Sequence, residues 1–121
     1  MGGRIGTVTD CLFCRIAAGE IPADIVWESD GVIAFRDISP QAPVHVLVIP
    51  RHHLADVTDL AGADAAVAAE LVAAAAAVAL AEGLSTSGYR VVLNTGPDAG
   101  QTVHHVHAHV LGGRALTWPP G

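Results

Sequence analysis

The sequence predicts one α+β domain built on an antiparallel sheet of about five strands, with one long and one short helix. Five segments rich in strand-forming residues are separated by glycine, proline and polar turns, and one alanine-rich segment divides the third from the fourth. A chain of 121 residues can bury one hydrophobic core but not two. We therefore expect a flexible N-terminus over 1–10 and a single domain over 11–121.

The N-terminal half is expected to contain the short helix and three strands. The helix spans 11–18 and stops where a glycine interrupts the pattern. Strands over 25–28 and 32–37 are joined at 29–31 by an Asp-Gly pair, which favours a tight hairpin. The apolar run over 45–50 ends at a proline and predicts a strand covered on both faces.

The C-terminal half is expected to contain the long helix and two more strands. Alanine gives 64–82 a high helix propensity, and its small side chains permit close packing on a sheet. The last two strands are 89–94 and 105–111. A Gly-Pro-Asp-Ala-Gly loop at 96–100 follows the first of them.

The charge and the hydropathy pattern exclude several classes of protein. Twelve acidic residues against six arginines, with no lysine, give a net charge of −6, which argues against nucleic acid as a partner. The first ten residues lack the apolar core of a secretory signal, so we expect a cytoplasmic protein. The alanine-rich segment carries Glu70 and leaves too short an apolar run for a span, so no membrane partner is expected.

All seven histidines fall in two short stretches, 45–53 and 104–109. Because side chains alternate along a strand, an extended 105–109 places His105, His107 and His109 on one face. Imidazole acts both as a nucleophile and as a proton donor near neutral pH, which predicts attack on phosphorus by the central ring. The preceding loop adds hydrogen-bonding side chains and glycines that allow close backbone approach to a ligand: Asn94, Gly96, Gly100, Gln101 and Thr102.

Other interpretations of these residues stay open. Two imidazoles at i and i+2 with a third ligand can form a zinc centre. Three core histidines would each need a buried partner, which is costly without a function. The pair Cys11-x-x-Cys14 is half of a tetrahedral thiolate site or, in a reducing compartment, two free thiols.

The segment His-Val-His-Ala-His-Val-Leu at 105–111 resembles the signature of the histidine-triad (HIT) family. The ending Leu-Gly-Gly-Arg at 111–114, followed by Trp-Pro-Pro-Gly at 118–121, is similar to the HINT branch, whose members are homodimeric purine-nucleoside phosphoramidases. The resemblance implies an HIT fold over 11–121 that pairs as a dimer. It covers almost the whole chain, since further segments match in the same order: 11–16, 19–22, 34–40, 45–50 and 100–103.

The resemblance also implies a reaction. His107 would attack the α-phosphorus of an adenosine phosphoramidate, form a covalent nucleotidyl-histidine and release AMP and an amine, with no metal required. His109 would contact the phosphate and assist proton delivery to the leaving amine, and Thr102 would add a hydroxyl near it. His45 and His105 would tune or orient the central ring.

The nucleotide contacts follow from the same resemblance. Asp37 would bind the ribose, and Trp118, carried across the dimer, would select the leaving group. The remaining implied contacts are Phe13, Ile16, Ile21, Phe35, Ile38, Asn94, Gly100, Gln101 and Val103.

The sequence also raises the possibility of a structural zinc site and of two other functions. The resemblance places zinc between Cys11, Cys14, His53 and His105, the alternative being two small buried thiols. A dinucleoside-polyphosphate hydrolase of the same superfamily is disfavoured by the ending at 118–121. The non-enzymatic alternative is a regulator that binds a nucleotide without hydrolysing it.

Overall fold

A computed structural model describes residues 10–121 of the chain. The predicted flexible N-terminus therefore lies, except for its last residue, outside the described residues. Within 10–121, no helix is long and apolar enough to cross a membrane. The elements in chain order are α1 Leu12–Ala17, β1 Ile25–Glu28, β2 Val32–Arg36, β3 Val44–Pro50, α2 Val57–Gly62, α3 Ala65–Ala81, β4 Tyr89–Val92, a 3-10 turn Pro97–Ala99 and β5 Ala108–Gly112.

The five strands form one sheet in the order β1-β2-β3-β5-β4. Every neighbouring pair is antiparallel. This confirms the predicted α+β class and the five-stranded antiparallel sheet. The last strand enters between β3 and β4, so β4 is left as an edge of the sheet.

The long helix α3 begins and ends where the sequence predicts. The Asp64 carboxylate accepts the Ala66 N–H at 3.0 Å and caps the first turn. The buried side of the helix combines small alanines with larger apolar residues, which lets the helix pack closely on the sheet. These buried residues are Leu71, Ala74, Ala75, Val78 and Ala79.

The sheet separates two hydrophobic clusters. Alternate residues of β2 and β3 belong to opposite clusters, as the pleat of a strand requires. The cluster under α2 and α3 contains Val32, Ala34, Val46, Val48, Leu60, Leu71, Ala74, Ala75, Val78, Ala79, Leu84, Val106, Ala108 and Val110. The cluster under α1 contains Phe13, Ile16, Ile33, Phe35, Leu47 and Ile49.

Two features differ from the sequence-based expectation. The helix α2, capped by Asp56, was not predicted and makes a second short helix. The last strand begins at Ala108, so the prediction of a strand from 105 was wrong for its first three residues. The antiparallel pairing with β3 stops there because Pro50 has no amide hydrogen, and the Val106 N–H donates instead to the Leu54 carbonyl at 2.7 Å.

Candidate functional site

A cavity of about 270 Å³ lies on the α1 side of the sheet. Strand β2 and helix α1 form its apolar wall, and the residues before and within β5 provide two histidines. Its lining residues are Leu12, Phe13, Ile16, Ala23, Phe35, Arg36, Asp37, Ile38, Leu47, Thr102, Val103, His107 and His109.

The cavity brings together many of the residues that the sequence singled out as nucleotide contacts. Those in its lining are Phe13, Ile16, Phe35, Asp37, Ile38, Thr102, Val103, His107 and His109. The lining does not include Ile21, Asn94, Gly100, Gln101 or Trp118. Ile21 packs against the cluster under α1, Asn94 is half-buried after β4, and Trp118 is 81% exposed.

The Gln101 side chain is buried and organises the loop before β5. Its amide nitrogen donates to the carbonyls of Ala55 at 2.7 Å and Val103 at 3.2 Å, and its amide oxygen accepts the Gly96 N–H at 3.0 Å. Gly100, at the end of the 3-10 turn, has φ +82° and occupies the left-handed region that favours glycine. Both residues therefore shape the loop that carries Thr102 into the cavity lining.

The ring of His107 is held in one hydrogen-bonding state by the backbone. Its Nδ1 lies 2.7 Å from the His105 carbonyl oxygen. A carbonyl only accepts, so Nδ1 must carry the hydrogen and Nε2 keeps its lone pair. The Phe13 ring packs edge-on against the imidazole, with centroids 5.1 Å apart, and restricts its rotation. Neutral His107 therefore keeps a lone pair on Nε2, which is the chemistry that a nucleophile requires.

A chain of two hydrogen bonds holds His109 in the tautomer opposite to that of His107. The Gln41 backbone N–H donates to Nδ1 of His45 at 3.0 Å, so neutral His45 carries its hydrogen on Nε2. That nitrogen lies 2.9 Å from Nδ1 of His109 and donates to it. His109 consequently carries its own hydrogen on Nε2. The ring centroid of His109 lies 5.0 Å from that of His107, so a hydrogen-bond donor stands beside the His107 lone pair.

Burial keeps these two supporting rings neutral. Desolvation, followed by the charges of His107 and His45, lowers the pKa of His109 to about 4. Desolvation also lowers the pKa of His45, against the opposing charge of Asp37. The Asp37 carboxylate lies 3.4 Å from Nε2 of His45, and its other oxygen accepts the Ser39 N–H at 2.8 Å.

The His105 ring does not face the cavity, although the sequence predicted one row of three imidazoles. It is completely buried and lies in a separate cluster with Cys11, Cys14 and His53. Its Nδ1 is 3.3 Å from Cys11 Sγ, 3.5 Å from Cys14 Sγ and 3.2 Å from His53 Nδ1. Only His107 and His109 of the three line the cavity, because residues 105–107 have left the strand.

The four donor atoms of this cluster suit a tetrahedral metal ion. Zinc with thiolate and imidazole ligands has donor–donor edges of roughly 3.3–3.8 Å, and the four atoms lie within 4.8 Å of one another. The His105 Nε2–H donates to the Pro50 carbonyl at 2.8 Å, which directs the Nδ1 lone pair into the cluster. Burial raises the pKa of the Cys14 thiol to about 12 and lowers that of His105 to about 4.

The sequence-based prediction did not include several residues of the site. Leu47 follows His45 by two positions on β3, so strand alternation could have identified it. Leu12, Ala23 and Arg36 carry no local signal for a place in the cavity. Gln41 was missed because it acts through its backbone N–H, which every residue except proline possesses.

Comparisons with known proteins agree with this fold. The model of the HIT domain family matches residues 18–116. An uncharacterized HIT-like protein of Synechococcus elongatus is 53% identical over 112 residues, which are 93% of this chain and 97% of that protein. The crystal structure of a HIT family hydrolase from Legionella pneumophila has a TM-score of 0.89 and 52% identity, and covers 93% of this chain and 100% of its own. A Zn-bound histidine triad family protein from Mycobacterium smegmatis has a TM-score of 0.78 and 35% identity over 88% of this chain and 76% of its own.

Proposed function

Because this chain belongs to the HIT domain family, we propose that it hydrolyses the P–N bond of purine nucleoside 5′-phosphoramidates, of adenosine first, and releases AMP and an amine. The observation that carries the proposal is the pair of opposite hydrogen-bonding states in one cavity. His107 presents the Nε2 lone pair and His109 the Nε2 hydrogen. Support also comes from the similarity to the HIT family hydrolase of Legionella pneumophila.

The cavity suits a nucleoside monophosphate. The apolar side chains Phe13, Ile16 and Phe35 offer a slot for a flat base. A carboxylate has about four lone-pair sites, so Asp37 can accept from ribose hydroxyls while it binds the Ser39 N–H. Thr102 adds a hydroxyl to the lining beside the two histidines.

The reaction proceeds in two displacements at phosphorus. First, His107 Nε2 attacks phosphorus, the P–N bond breaks, and the departing amine takes up one proton from solvent. The positive charge on the new nucleotidyl-imidazole is stabilised by the Nδ1 hydrogen bond to the His105 carbonyl. Water then attacks phosphorus, releases AMP and a proton, and restores the lone pair. In both steps the His109 Nε2–H can donate to the charge that develops beside the phosphorus.

A structural zinc ion is part of the proposal. Cys11, Cys14, His53 and His105 would hold it, as the donor distances and the oriented His105 ring favour. Bound zinc would supply structural support only, tying α1 to the segment after β3, which holds His53, and to the segment before β5, which holds His105. Protein purified without chelator should contain close to one equivalent of zinc, and Cys14→Ser should lose it; less than a tenth of an equivalent in wild type would contradict the site.

A homodimer in the cytoplasm is also proposed. Within residues 10–121 strand β4 pairs with β5 on one side and forms an edge of the sheet on the other, and its side chains Tyr89 and Val91 are 41% and 42% exposed. Such an edge is a template for pairing with a second copy. We propose that Trp118 acts on the leaving group across this dimer.

One experiment tests the activity and separates it from the alternatives. Wild type, His107→Asn and the control His104→Asn are incubated with an alkylamine phosphoramidate of AMP, with a diadenosine polyphosphate, and with AMP alone. We expect wild type and the exposed-histidine control to hydrolyse the phosphoramidate, and His107→Asn to lose at least about a thousandfold in kcat. An added AMP mass on the wild-type peptide containing His107 would support the covalent step.

Three results would contradict the proposal in different ways. Faster hydrolysis of the diadenosine polyphosphate would favour the other hydrolase. Binding of AMP without turnover in any variant would favour the regulator. Full activity of His107→Asn would remove the nucleophile.

A further inference from the structure

A long-range hydrogen bond ties the segment after β5 to the loop before β3. Arg114 Nη2 donates to the Gln41 carbonyl at 2.9 Å, and its Nη1 donates to its neighbour Ala115 at 3.0 Å. Within residues 10–121, no carboxylate lies within 4.0 Å of this guanidinium, so its described polar contacts are backbone carbonyls. These contacts therefore join Arg114 to the loop before β3 through the Gln41 carbonyl.

Gln41 is the residue on which the hydrogen-bonding state of the site depends. Its backbone N–H donates to Nδ1 of His45, and its side chain donates to the Ser39 carbonyl at 2.9 Å. Without this N–H, neutral His45 could carry its hydrogen on either ring nitrogen. The 2.9 Å contact between His45 and His109 would then admit either state of His109. The position of this loop amide, together with the Asp37 carboxylate 3.4 Å from His45 Nε2, therefore determines what His109 presents to a ligand.

We propose that Arg114 is a positioning residue of this site. By holding Gln41 in place, Arg114 keeps a hydrogen on Nε2 of His45, which donates to His109. His109 in turn keeps a hydrogen on its own Nε2, which it can donate to the substrate. The catalytic consequence of this positioning rests on the proposed function, whereas the effect of Arg114 on the ring of His109 does not. The chain of donors comprises three contacts of 2.9, 3.0 and 2.9 Å between Arg114, Gln41, His45 and His109.

Arginine is suited to this position. Its guanidinium stays charged at all physiological pH values and donates in a planar fork, so the anchor does not weaken when neighbouring histidines titrate. A hydrogen bond from a charged donor to a carbonyl is also stronger than one between neutral groups. Lysine would keep one charged donor but lose the fork.

The first measurement needs no substrate. The ¹⁵N shifts of the His109 ring report which nitrogen carries the hydrogen, in wild type, Arg114→Ala, Arg114→Lys and Arg15→Ala. The control removes the same side chain from an exposed pair with Glu20. We expect a single Nε2–H state in wild type and control, a mixture in Arg114→Ala, and an intermediate result in Arg114→Lys. An unchanged single state in Arg114→Ala would overturn the proposal.

The second measurement is a double-mutant cycle on kcat for the alkylamine phosphoramidate. Arg114→Ala should lower kcat about tenfold with little change in KM, the loss expected for one hydrogen bond in the transition state. In a His109→Ala background the same substitution should cost less than about twofold, because residues that act through one another are not additive. An equal cost in both backgrounds, or no cost in wild type, would overturn the proposal.

The two measurements separate this inference from the proposed function. If wild type does not hydrolyse the phosphoramidate, the proposed function fails, and the ¹⁵N shifts still decide whether Arg114 determines the state of His109. If wild type is active and Arg114→Ala alters neither the ring nor kcat, the proposed function stands and the positioning role is lost.

Discussion

Protonation of His109 is predicted to destabilise the folded protein below neutral pH. Burial, with the charges of His107 and His45, lowers the pKa of His109 to about 4, and Asp37 only partly opposes the shift. In an unfolded chain the pKa of histidine is about 6.5. Between these values the unfolded chain binds the proton and the folded chain does not. The free energy of unfolding therefore falls as pH falls from about 6.5 to about 4, and it is unaffected by this group at higher pH.

The magnitude follows from the two pKa values. One such group lowers the free energy of unfolding by about 2 kcal/mol at pH 5 relative to pH 7.5. The His109 side chain is only partly buried, and solvent screens part of the effect, so we expect about 1 kcal/mol.

The variant His109→Asn isolates this contribution, because asparagine keeps a polar group opposite His45 and cannot take up a proton. Urea denaturation followed by tryptophan fluorescence at both pH values, at one zinc concentration, measures the free energy of unfolding. On acidification wild type should lose about 1 kcal/mol more than His109→Asn. The control His104→Asn replaces an exposed histidine and should lose as much as wild type. Equal losses in wild type and His109→Asn would refute the argument.

Three further predictions concern packing, assembly and the C-terminus. A methyl group at Gly112 would lie 2.6 Å from a Leu84 methyl, so Gly112→Ala should lower the free energy of unfolding by about 1–3 kcal/mol. The control Gly62→Ala has open space around it and should not lower the melting temperature. Equal melting temperatures for the two variants would contradict the packing argument. Val91→Asp should convert the proposed dimer to a monomer in light scattering, and an unchanged mass would exclude β4 as the interface. Deletion of 117–121, which removes the exposed tryptophan, should alter the ratio of rates among amine leaving groups, and unchanged ratios would remove that segment from selectivity.

Elements with a complete local signal were predictable from the sequence. The alanine run placed α3 to within one residue at each end. The apolar run ending at Pro50 predicted a buried strand, and β3 is buried along nearly its whole length. The helix α2 was missed because its six residues are too few to show a helical period.

The start of β5 was not predictable, because it depends on the partner strand. Alternation alone extended the strand to His105, whereas the register of β3 and β5 ends at Val48 and Ala108, and Pro50, which would face Val106 if that register continued, cannot donate a hydrogen bond. Alternation nevertheless persists in the burial: Val106 lies in the helix-side cluster and His107 in the cavity lining. The sequence therefore identified the histidines of the site. It did not predict that His107 and His109 line the cavity while His105 joins the cluster with Cys11, Cys14 and His53.

The sequence alone predicted the class of fold, the order of its main elements and the residue types available for chemistry. Helix and strand propensity, alternation and spacing are properties of residues that are close in the chain. Only the tertiary structure decided which ring nitrogen is free on His107 and which carries hydrogen on His109. Those states depend on the His105 carbonyl and the Gln41 N–H. Every residue type offers such backbone groups, so their effect arises only when the pairing of β3 with β5 brings distant segments together.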